Sequence, residues 1–388
     1  MRLVTVAVAT GVAFAALGNS APAFSSTRHL TPIVEAKIDA AAKQDVDSGR
    51  VAGAAVAVLR NGKLVFAKGY GRANLELAAP VNARTVFRVG SLTKQFTAAG
   101  VLLLAEQGKL NIDDRLSLYL PNFPRANEVT LRDLLNHTSG IHNFTEGPVI
   151  NKISTSGATV KELVTDIASQ SPLYDFEPGK GWWYSNSNYA LLGAVIEKVS
   201  GESWGAFMKA EIFDKLGMAD TAADNARDVV PGRASGYSLI GGAAGKFRNA
   251  DFTDMSVPYA AGALRSTAED MARWNAALFG GKLLKPQSLK EMLAPGRLRN
   301  GAENQTAIAW PGAKAFPPPA GFVPGPYAFG LEHHSQDARR IIGHDGSIAG
   351  FDAVMQNYID EGLTIIVLTN TNGAAHPLEA KVAKILAP

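Results

Sequence analysis

The chain of 388 residues contains no cysteine at all. That absence excludes a disulfide framework and lipid attachment at a leader cysteine, and a chain of this length has core enough to fold without cross-links. Charge of one sign is also missing: 38 basic residues face 35 acidic ones, for a net charge of +3. There are no basic runs, acidic tails or heptads, so nucleic acid is not an expected partner. No repeat of 20–50 residues is visible. Beyond the N-terminus no apolar run approaches membrane-spanning length, and Leu363 to Leu368 is only strand length. What remains, 46% hydrophobic and 19% charged, is an ordinary globular composition with room for one large domain or two lobes.

The first 23 residues follow a logic of their own. Arg2 supplies a positive start, Leu3 to Leu17 is apolar and uncharged, and Ala21-Pro22-Ala23 offers small residues for a signal peptidase. The apolar run is shorter than the roughly 20 residues that span a bilayer. A cleaved leader over residues 1–23, a mature chain starting near Phe24 and a periplasmic or secreted location are therefore expected, with no membrane association after processing.

Pattern then separates the chain into strand-rich ends and a helical middle. Thr31-Pro32 opens a helix that runs to Gly49. Val51–Leu59 and Lys63–Tyr70 read as strands joined through Asn61-Gly62, the strongest two-residue hairpin signal. Ser91 to Gly108 reads as a helix of good formers closed by glycine. Further helices are expected after Thr130-x-x-Asp133, over Tyr189 to Val199 with a stop at Gly201, and after a capping box at Ser266-x-x-Glu269. Residues 295–326 read as a long Pro- and Gly-rich surface excursion. Strand signals return at Tyr327–His333, Arg339–His344, Phe351–Tyr358 and Leu363–Thr369, before a last helix from about Leu378. The order implies an α+β fold: one antiparallel sheet built from both chain termini, flanked by helices, with an inserted all-α lobe. The α/β lobe would take about residues 30–110 and 265–388, the α lobe about 111–264.

Three short motifs carry the chemistry: Ser91-Leu92-Thr93-Lys94, Tyr184-Ser185-Asn186 and His344-Asp345-Gly346. Residues three apart on a helix share a face, so Ser91 and Lys94 point into one cleft. A serine hydroxyl needs a base, and a lysine serves as one only when desolvation lowers its pKa from about 10.4. Leu92, Phe96 and the aliphatic run after them supply a dry surrounding. A phenol such as Tyr184 can relay a proton, and an amide such as Asn186 can hold a carbonyl. Singly, each motif reads as well as a helix cap, a turn or a strand end, since roughly one S-x-x-K is expected by chance in a chain this long. Each occurs only once, in one order.

That order and spacing resemble the penicillin-recognising serine enzymes: class C β-lactamases, D-Ala-D-Ala carboxypeptidases, D-aminopeptidases and related esterases. Phe87-Arg88-Val89-Gly90, Leu134 to Ile141, Glu177-Pro178-Gly179 and Gly350-Phe351 extend the likeness over about Leu30 to Lys384. The resemblance implies a β-lactamase/transpeptidase-like fold and a catalytic set of Ser91, Lys94, Tyr184, Asn186, His344 and Gly346. Ser91 would be the nucleophile, Lys94 and Tyr184 the base and proton shuttle, and Asn186 the residue that steers the substrate amide. The backbone N–H groups of Ser91 and Ser347 would form the oxyanion hole. It implies no cofactor and no metal. The substrate would be a small molecule or peptide, a D-amino-acid peptide or small ester, including peptidoglycan fragments or β-lactams. The rivals are a β-lactamase and a slowly deacylating penicillin-binding sensor.

One departure matters. Where class C β-lactamases carry Lys-Thr-Gly, this chain has His-Asp-Gly, which weakens binding of an acidic β-lactam and favours the peptidase and esterase branch. His344 would complete the hydrogen-bond network and face either Tyr184 or a substrate carboxylate; unperturbed and ionising near 6.5, it would read that carboxylate in a pH-dependent way. A second serine, Ser203 in Gly201-Glu202-Ser203-Trp204-Gly205, fits the α/β-hydrolase elbow pattern but lacks the strand that must precede it, so it reads as an N-cap. Neither His333-His334 nor His137 with His142 has metal-ligand spacing. N-terminal sequencing of protein from the native host should start close to Phe24; an intact Met1 on a cytoplasmic protein would contradict the leader.

Overall fold

The computed structural model describes residues 29–304 and 321–387. The expected leader and the middle of the 295–326 excursion lie outside the described residues. Helix α1 (Pro32–Asp47) leads into strands β1 (Gly53–Arg60) and β2 (Lys63–Asn74), then the short β3 (Ala79–Pro80) and β4 (Phe87–Arg88). A 3₁₀ turn, Gly90–Leu92, feeds α2 (Thr93–Glu106). The middle holds α3 (Leu131–Leu135), α4 (Pro148–Ile153), α5 (Val160–Ala168) and α6 (Asn186–Ser200), with short strands β5 (Ala222–Ala223), β6 (Tyr237–Leu239), β7 (Phe247–Asn249) and β8 (Leu264–Ser266). After helices at Ala268–Phe279 and Pro286–Leu293 come β9 (Phe322–Tyr327), β10 (Glu332–Gln336), β11 (Arg339–Ile348), β12 (Phe351–Tyr358) and β13 (Leu363–Thr369), then the C-terminal helix Ala375–Leu386.

One antiparallel sheet gathers both ends of the chain in the order β3-β2-β1-β13-β12-β11-β10-β9. Its centre is buried on both faces, which is why β1 and β13 read as apolar runs. Ala54, Val56, Val58, Ile365 and Val367 pack under α1 and the C-terminal helix. Ala55, Ala57, Leu59, Ile366 and Leu368 point the other way, into the core shared with α2 and the helical middle. Each such buried aliphatic contributes about 1.5–3 kcal/mol, so the sheet is a rigid base for whatever stands on it. Both edges carry proline, Pro80 on β3 and Pro324 and Pro326 on β9, where the missing N–H costs no ladder bond.

Several boundaries differ from the sequence reading, each for a local reason. The strand expected over Tyr327–His333 straddles a hairpin, with the end of β9 at Tyr327, a turn over 328–331 and the start of β10 at Glu332, because proline in β9 hides an edge strand. The end of the expected surface excursion is therefore part of the sheet. The cap expected at Ser266 sits one residue on, where the Thr267 side chain accepts from Asp270 N–H while Ser266 stays in β8. The inserted segment takes most of its regular structure from helices but also carries β5 to β7. The 61–62 hairpin is as expected, with Asn61 at φ 49° and Gly62 at φ 70°. No helix among the described residues is long and apolar enough to cross a membrane.

The serine turn is anchored from behind. Short strands β4, β8 and β5 pair side by side, and the fully buried Asp224 carboxylate gathers Arg88 Nε (2.8 Å), Arg233 (3.1 Å) and Arg265 (3.4 Å). Arg88 lies three residues before Ser91. Removing that anion leaves three poorly exposed guanidinium groups together, with only the half-exposed Asp228 carboxylate 3.7 Å from Arg265 to offset them, so Asp224→Ala should cost about 3–5 kcal/mol of unfolding free energy. Urea unfolding measures it, and a loss under about 1 kcal/mol would show that the arginines relax into solvent.

Candidate active site

Ser91 lies in the 3₁₀ turn and Lys94 in the first turn of α2, so the two side chains share a face as the spacing required. Lys94 is fully buried. Its Nζ donates to Asn186 Oδ1 (2.7 Å) and to the Ala261 carbonyl (2.8 Å), and lies 3.0 Å from Ser91 Oγ. Burial pushes its pKa well below the usual lysine value, opposed only by the more distant Asp345 and Glu332 carboxylates. Hydrogen-bond counting agrees with a neutral amine. Ala261 O can only accept, and Asn186 Oδ1 must accept because Asn186 Nδ2 donates to Thr145 Oγ1 (3.0 Å). A neutral amine, which the lowered pKa favours, spends two N–H bonds on those two acceptors and can turn its lone pair to the Ser91 hydroxyl, the third oxygen within reach of Nζ.

The Tyr184 hydroxyl is hydrogen-bonded to Ser91, and burial holds its pKa well above 10. It is therefore a protonated phenol, placed to give a proton. The Tyr184 ring also covers the lysine, with Nζ 4.7 Å from its centroid. Asn186 begins α6, and its amide is oriented by a short relay: Thr145 Oγ1 takes Asn186 Nδ2 and donates to Asn143 Oδ1 (2.9 Å). Asn143 Oδ1 also accepts the backbone N–H of Asn186 (3.1 Å). The Asn186 Oδ1 thus holds the lysine and one Nδ2 hydrogen is taken by Thr145, which leaves the second Nδ2 hydrogen for the expected contact with a substrate amide.

Gly346 lies in the interior of β11, not at a strand end, and β11 crosses the serine turn at backbone contact. A Cβ on Gly346 would stand 2.1 Å from Val89 O and 2.8 Å from Ser91 N, and one on Gly90 would stand 2.8 Å from Ser347 N. The two proposed oxyanion donors, Ser91 and Ser347, thus flank a pair of glycines that touch. Both serines line a cleft of about 350 Å³ with Phe144, Ile150, Asn186, Val257 and Ile348.

His344 overturns one expectation. It is 1% exposed, and desolvation pulls its pKa down to about 4, so the ring is held neutral instead of ionising near 6.5. Its tautomer follows from its partners. Nδ1 donates to the Asp345 carbonyl (2.5 Å), which leaves Nε2 to accept from Tyr327 OH (3.1 Å). The Asp345 side chain turns away from this bond toward His376 (3.8 Å). Glu332, His344 and Asp345 bring one donor atom each within 4.8 Å of one another. Both imidazole nitrogens are already engaged, so this is a poor metal-ligand set. Ser203 is the N-cap of the helix Trp204–Met208, accepting from Ala206 N–H (3.3 Å), as read from sequence.

Sequence reasoning missed Tyr327, Thr145, Asn143 and the Ala261 carbonyl. The first was hidden in a misjudged strand; Thr145 and Asn143 reach Asn186 from a loop, Ala261 reaches the lysine from the short helix Tyr259–Gly262, and none carries a pattern of its own.

Comparison with known proteins points the same way. A family model described as Beta-lactamase matches residues 38–387. Penicillin-binding protein 4* of Bacillus subtilis (strain 168) is 29% identical over 330 residues, 81% of this chain and 67% of that protein. The putative penicillin-binding protein PbpX of the same organism is 36% identical over 239 residues, 62% of this chain and 58% of its own length. The chain thus spans about two thirds or less of the length of these curated relatives. The crystal structure of D-amino acid amidase from Ochrobactrum anthropi SV3, complexed with D-phenylalanine, superposes with a TM-score of 0.75 at 25% identity, covering 91% of this chain and 98% of that one.

The state of His344 has a consequence for stability. Its folded pKa of about 4 lies below the unfolded value of about 6.5, so the folded protein favours the neutral ring. Between those two values the unfolded chain takes up a proton that the folded one refuses. Stability should therefore fall as pH drops from about 6.5 to about 4, by on the order of 3 kcal/mol from this group. His344→Gln should flatten that slope. Urea midpoints measured across the window check it; equal slopes in the two proteins would place the proton uptake elsewhere.

Proposed function

The chain belongs to the β-lactamase family, a group of serine hydrolases, and from that footing we propose that it hydrolyses neutral amides or esters of D-amino-acid derivatives through an acyl-enzyme on Ser91. The observation that carries this reading is the buried Lys94, whose Nζ is held by Ala261 O and Asn186 Oδ1 and lies 3.0 Å from Ser91 Oγ. Ser91 Oγ attacks the substrate carbonyl as its proton passes to Lys94. The developing oxyanion is held by the N–H groups of Ser91 and Ser347. Tyr184 protonates the leaving amine or alcohol and is recharged from Lys94, and water then reverses the sequence to release the acid.

Two observations favour a neutral substrate over a free carboxylate. None of the described residues lining the cleft is charged, and His344 is neutral where the resembling lactamases have lysine. A C-terminal carboxylate or an acidic β-lactam would enter without a counter-ion, while Phe144, Ile150, Val257 and Ile348 suit an apolar acyl side chain. Preference for the D configuration draws support from the likeness to the D-amino acid amidase. The D-Ala-D-Ala carboxypeptidase reading is thereby the weaker branch.

The test pairs an N-acyl-D-dipeptide acid with its C-terminal amide, each beside its L isomer, with nitrocefin and simple esters alongside. The amide should exceed the acid in kcat/KM by about tenfold or more, the value of one lost charge-assisted hydrogen bond. A fluorophosphonate adduct should map to Ser91. Equal rates on acid and amide, nitrocefin turnover matching the best ester, or an adduct on Ser203 would each refute the assignment, and stoichiometric acylation without turnover would make the protein a sensor.

A further inference from the structure

The Tyr184 phenol must meet Ser91 within a few tenths of an ångström, yet it sits in an irregular segment between Trp182 and the start of α6. Neither the lysine network nor the sheet holds its peptide. One residue does so from both sides. The carbonyl of His137 accepts the N–H of Trp183 (3.1 Å), and the Nδ1 of the same residue accepts the N–H of Ser185 (3.2 Å). Residue 184 is therefore bracketed by His137, which lies 47 positions earlier in the chain.

Three further features make this a built support. His137 is fully buried and sits at φ 58°, a left-handed conformation that a non-glycine residue adopts at a cost. Its ring packs against the Tyr184 and Tyr327 rings, both at 4.6 Å between centroids. Its tautomer is locked: Nδ1 also accepts Asn188 Nδ2 (3.0 Å), and that amide is oriented by Ser139 Oγ, which donates to Asn188 Oδ1 (2.6 Å). With Nδ1 accepting, Nε2 must carry the ring hydrogen, and it has no hydrogen-bond partner among the described residues. A buried donor left unsatisfied is a sacrifice of stability, of the kind that clusters where geometry matters more.

We propose that His137 is a positioning residue for the proton-transfer step, holding the Tyr184 phenol against Ser91 by bracketing its peptide. The inference rests on the acyl-enzyme reading above. His137 touches no substrate and takes no proton; it acts through the tyrosine.

The test exploits which substrates need that phenol. In acylation the Ser91 Oγ–C bond forms, the bond to the leaving group breaks, and an amine departs only after receiving a proton. A p-nitrophenolate departs without one. With an amide and a p-nitrophenyl ester of the same acyl group, kcat/KM reports acylation for both. Tyr184→Phe sets the reference split between them. His137→Leu removes the acceptor and keeps bulk; it should lower amide kcat/KM by about 100-fold and ester kcat/KM by less than about fivefold, matching the tyrosine variant. His137→Gly, which relieves the backbone, replaces it if the leucine variant does not fold. His137→Asn should restore most of the amide activity, because its Oδ1 occupies the place of Nδ1 and asparagine tolerates the left-handed backbone. A purely structural role predicts that amide and ester fall together, and that result overturns the proposal, as does an asparagine variant no better than leucine or glycine. If Ser91 takes no fluorophosphonate in the wild type, or Tyr184→Phe does not split the two substrates, the acyl-enzyme reading has failed instead.

Discussion

The site is organised around an amine buried without a counter-ion. Taking a lysine out of water costs several kcal/mol unless a carboxylate joins it or it sheds its proton. Among the described residues no carboxylate pairs with Lys94, and the residues around it are arranged for the second outcome. Thr97 Oγ1 donates to Ala260 O (2.7 Å) and Thr93 Oγ1 accepts from Leu264 N (3.1 Å), so the segment 260–264 is fastened along one side of α2. Its Ala261 carbonyl then meets Nζ at a fixed distance, and Asn186 arrives from the start of α6. The helix that brings the lysine stands on a sheet buried on both faces, which has little freedom to open the site to water. Fold stability and basicity are thus linked: whatever lets water reach Nζ also returns its proton.

The third motif shows how one substitution redistributes work without dismantling the site. A lysine at position 344 would need an anionic partner or access to solvent, and would offer a standing positive charge to substrate. The histidine needs neither. Buried under Tyr327, it turns one nitrogen to the Asp345 carbonyl and the other to a phenol, and stays neutral. The acidic side chains nearby, Asp345 and Glu332, are then not drawn into an ion pair with it. Burial and the Asp345 charge raise the pKa of Glu332 to about 8, while Asp345, paired with His376, is held down to about 2. The described lining of the cleft is left without a charged side chain, which is the ground for the proposed preference for neutral substrates.

What was legible in the sequence follows from how far apart the cooperating residues lie. Ser91 and Lys94 are neighbours on one helix, so periodicity alone puts them together, and the N-cap at Ser203 announces itself within four residues. The central strands were visible because burial on both faces makes apolar runs. Strand β9 was not, since its prolines carry the signature of a loop and only the edge position makes them tolerable. The state of His344 was misjudged because burial, which sets it, depends on Tyr327 and on the packing of β11 against the serine turn. The bracket around Tyr184 was invisible for the same reason: a main-chain acceptor and a ring nitrogen of one residue serve N–H groups almost fifty positions away.

The two N–H groups proposed as oxyanion donors are brought together by what two residues lack. A Cβ at Gly346 would collide with the Val89 carbonyl, and one at Gly90, itself at φ 51°, would press on the amide of Ser347. With both absent, β11 lies directly on the turn that carries Ser91. The N–H of the nucleophile and that of Ser347 therefore come from two separate backbones held in contact, and neither depends on a side-chain rotamer. Such donors are already oriented before charge develops, which is the condition under which they lower a barrier most. The same contact explains why the glycine of the third motif can stay fixed while the residue two places before it changes. Position 346 answers to the backbone of the serine turn, whereas position 344 answers to the ring beside it.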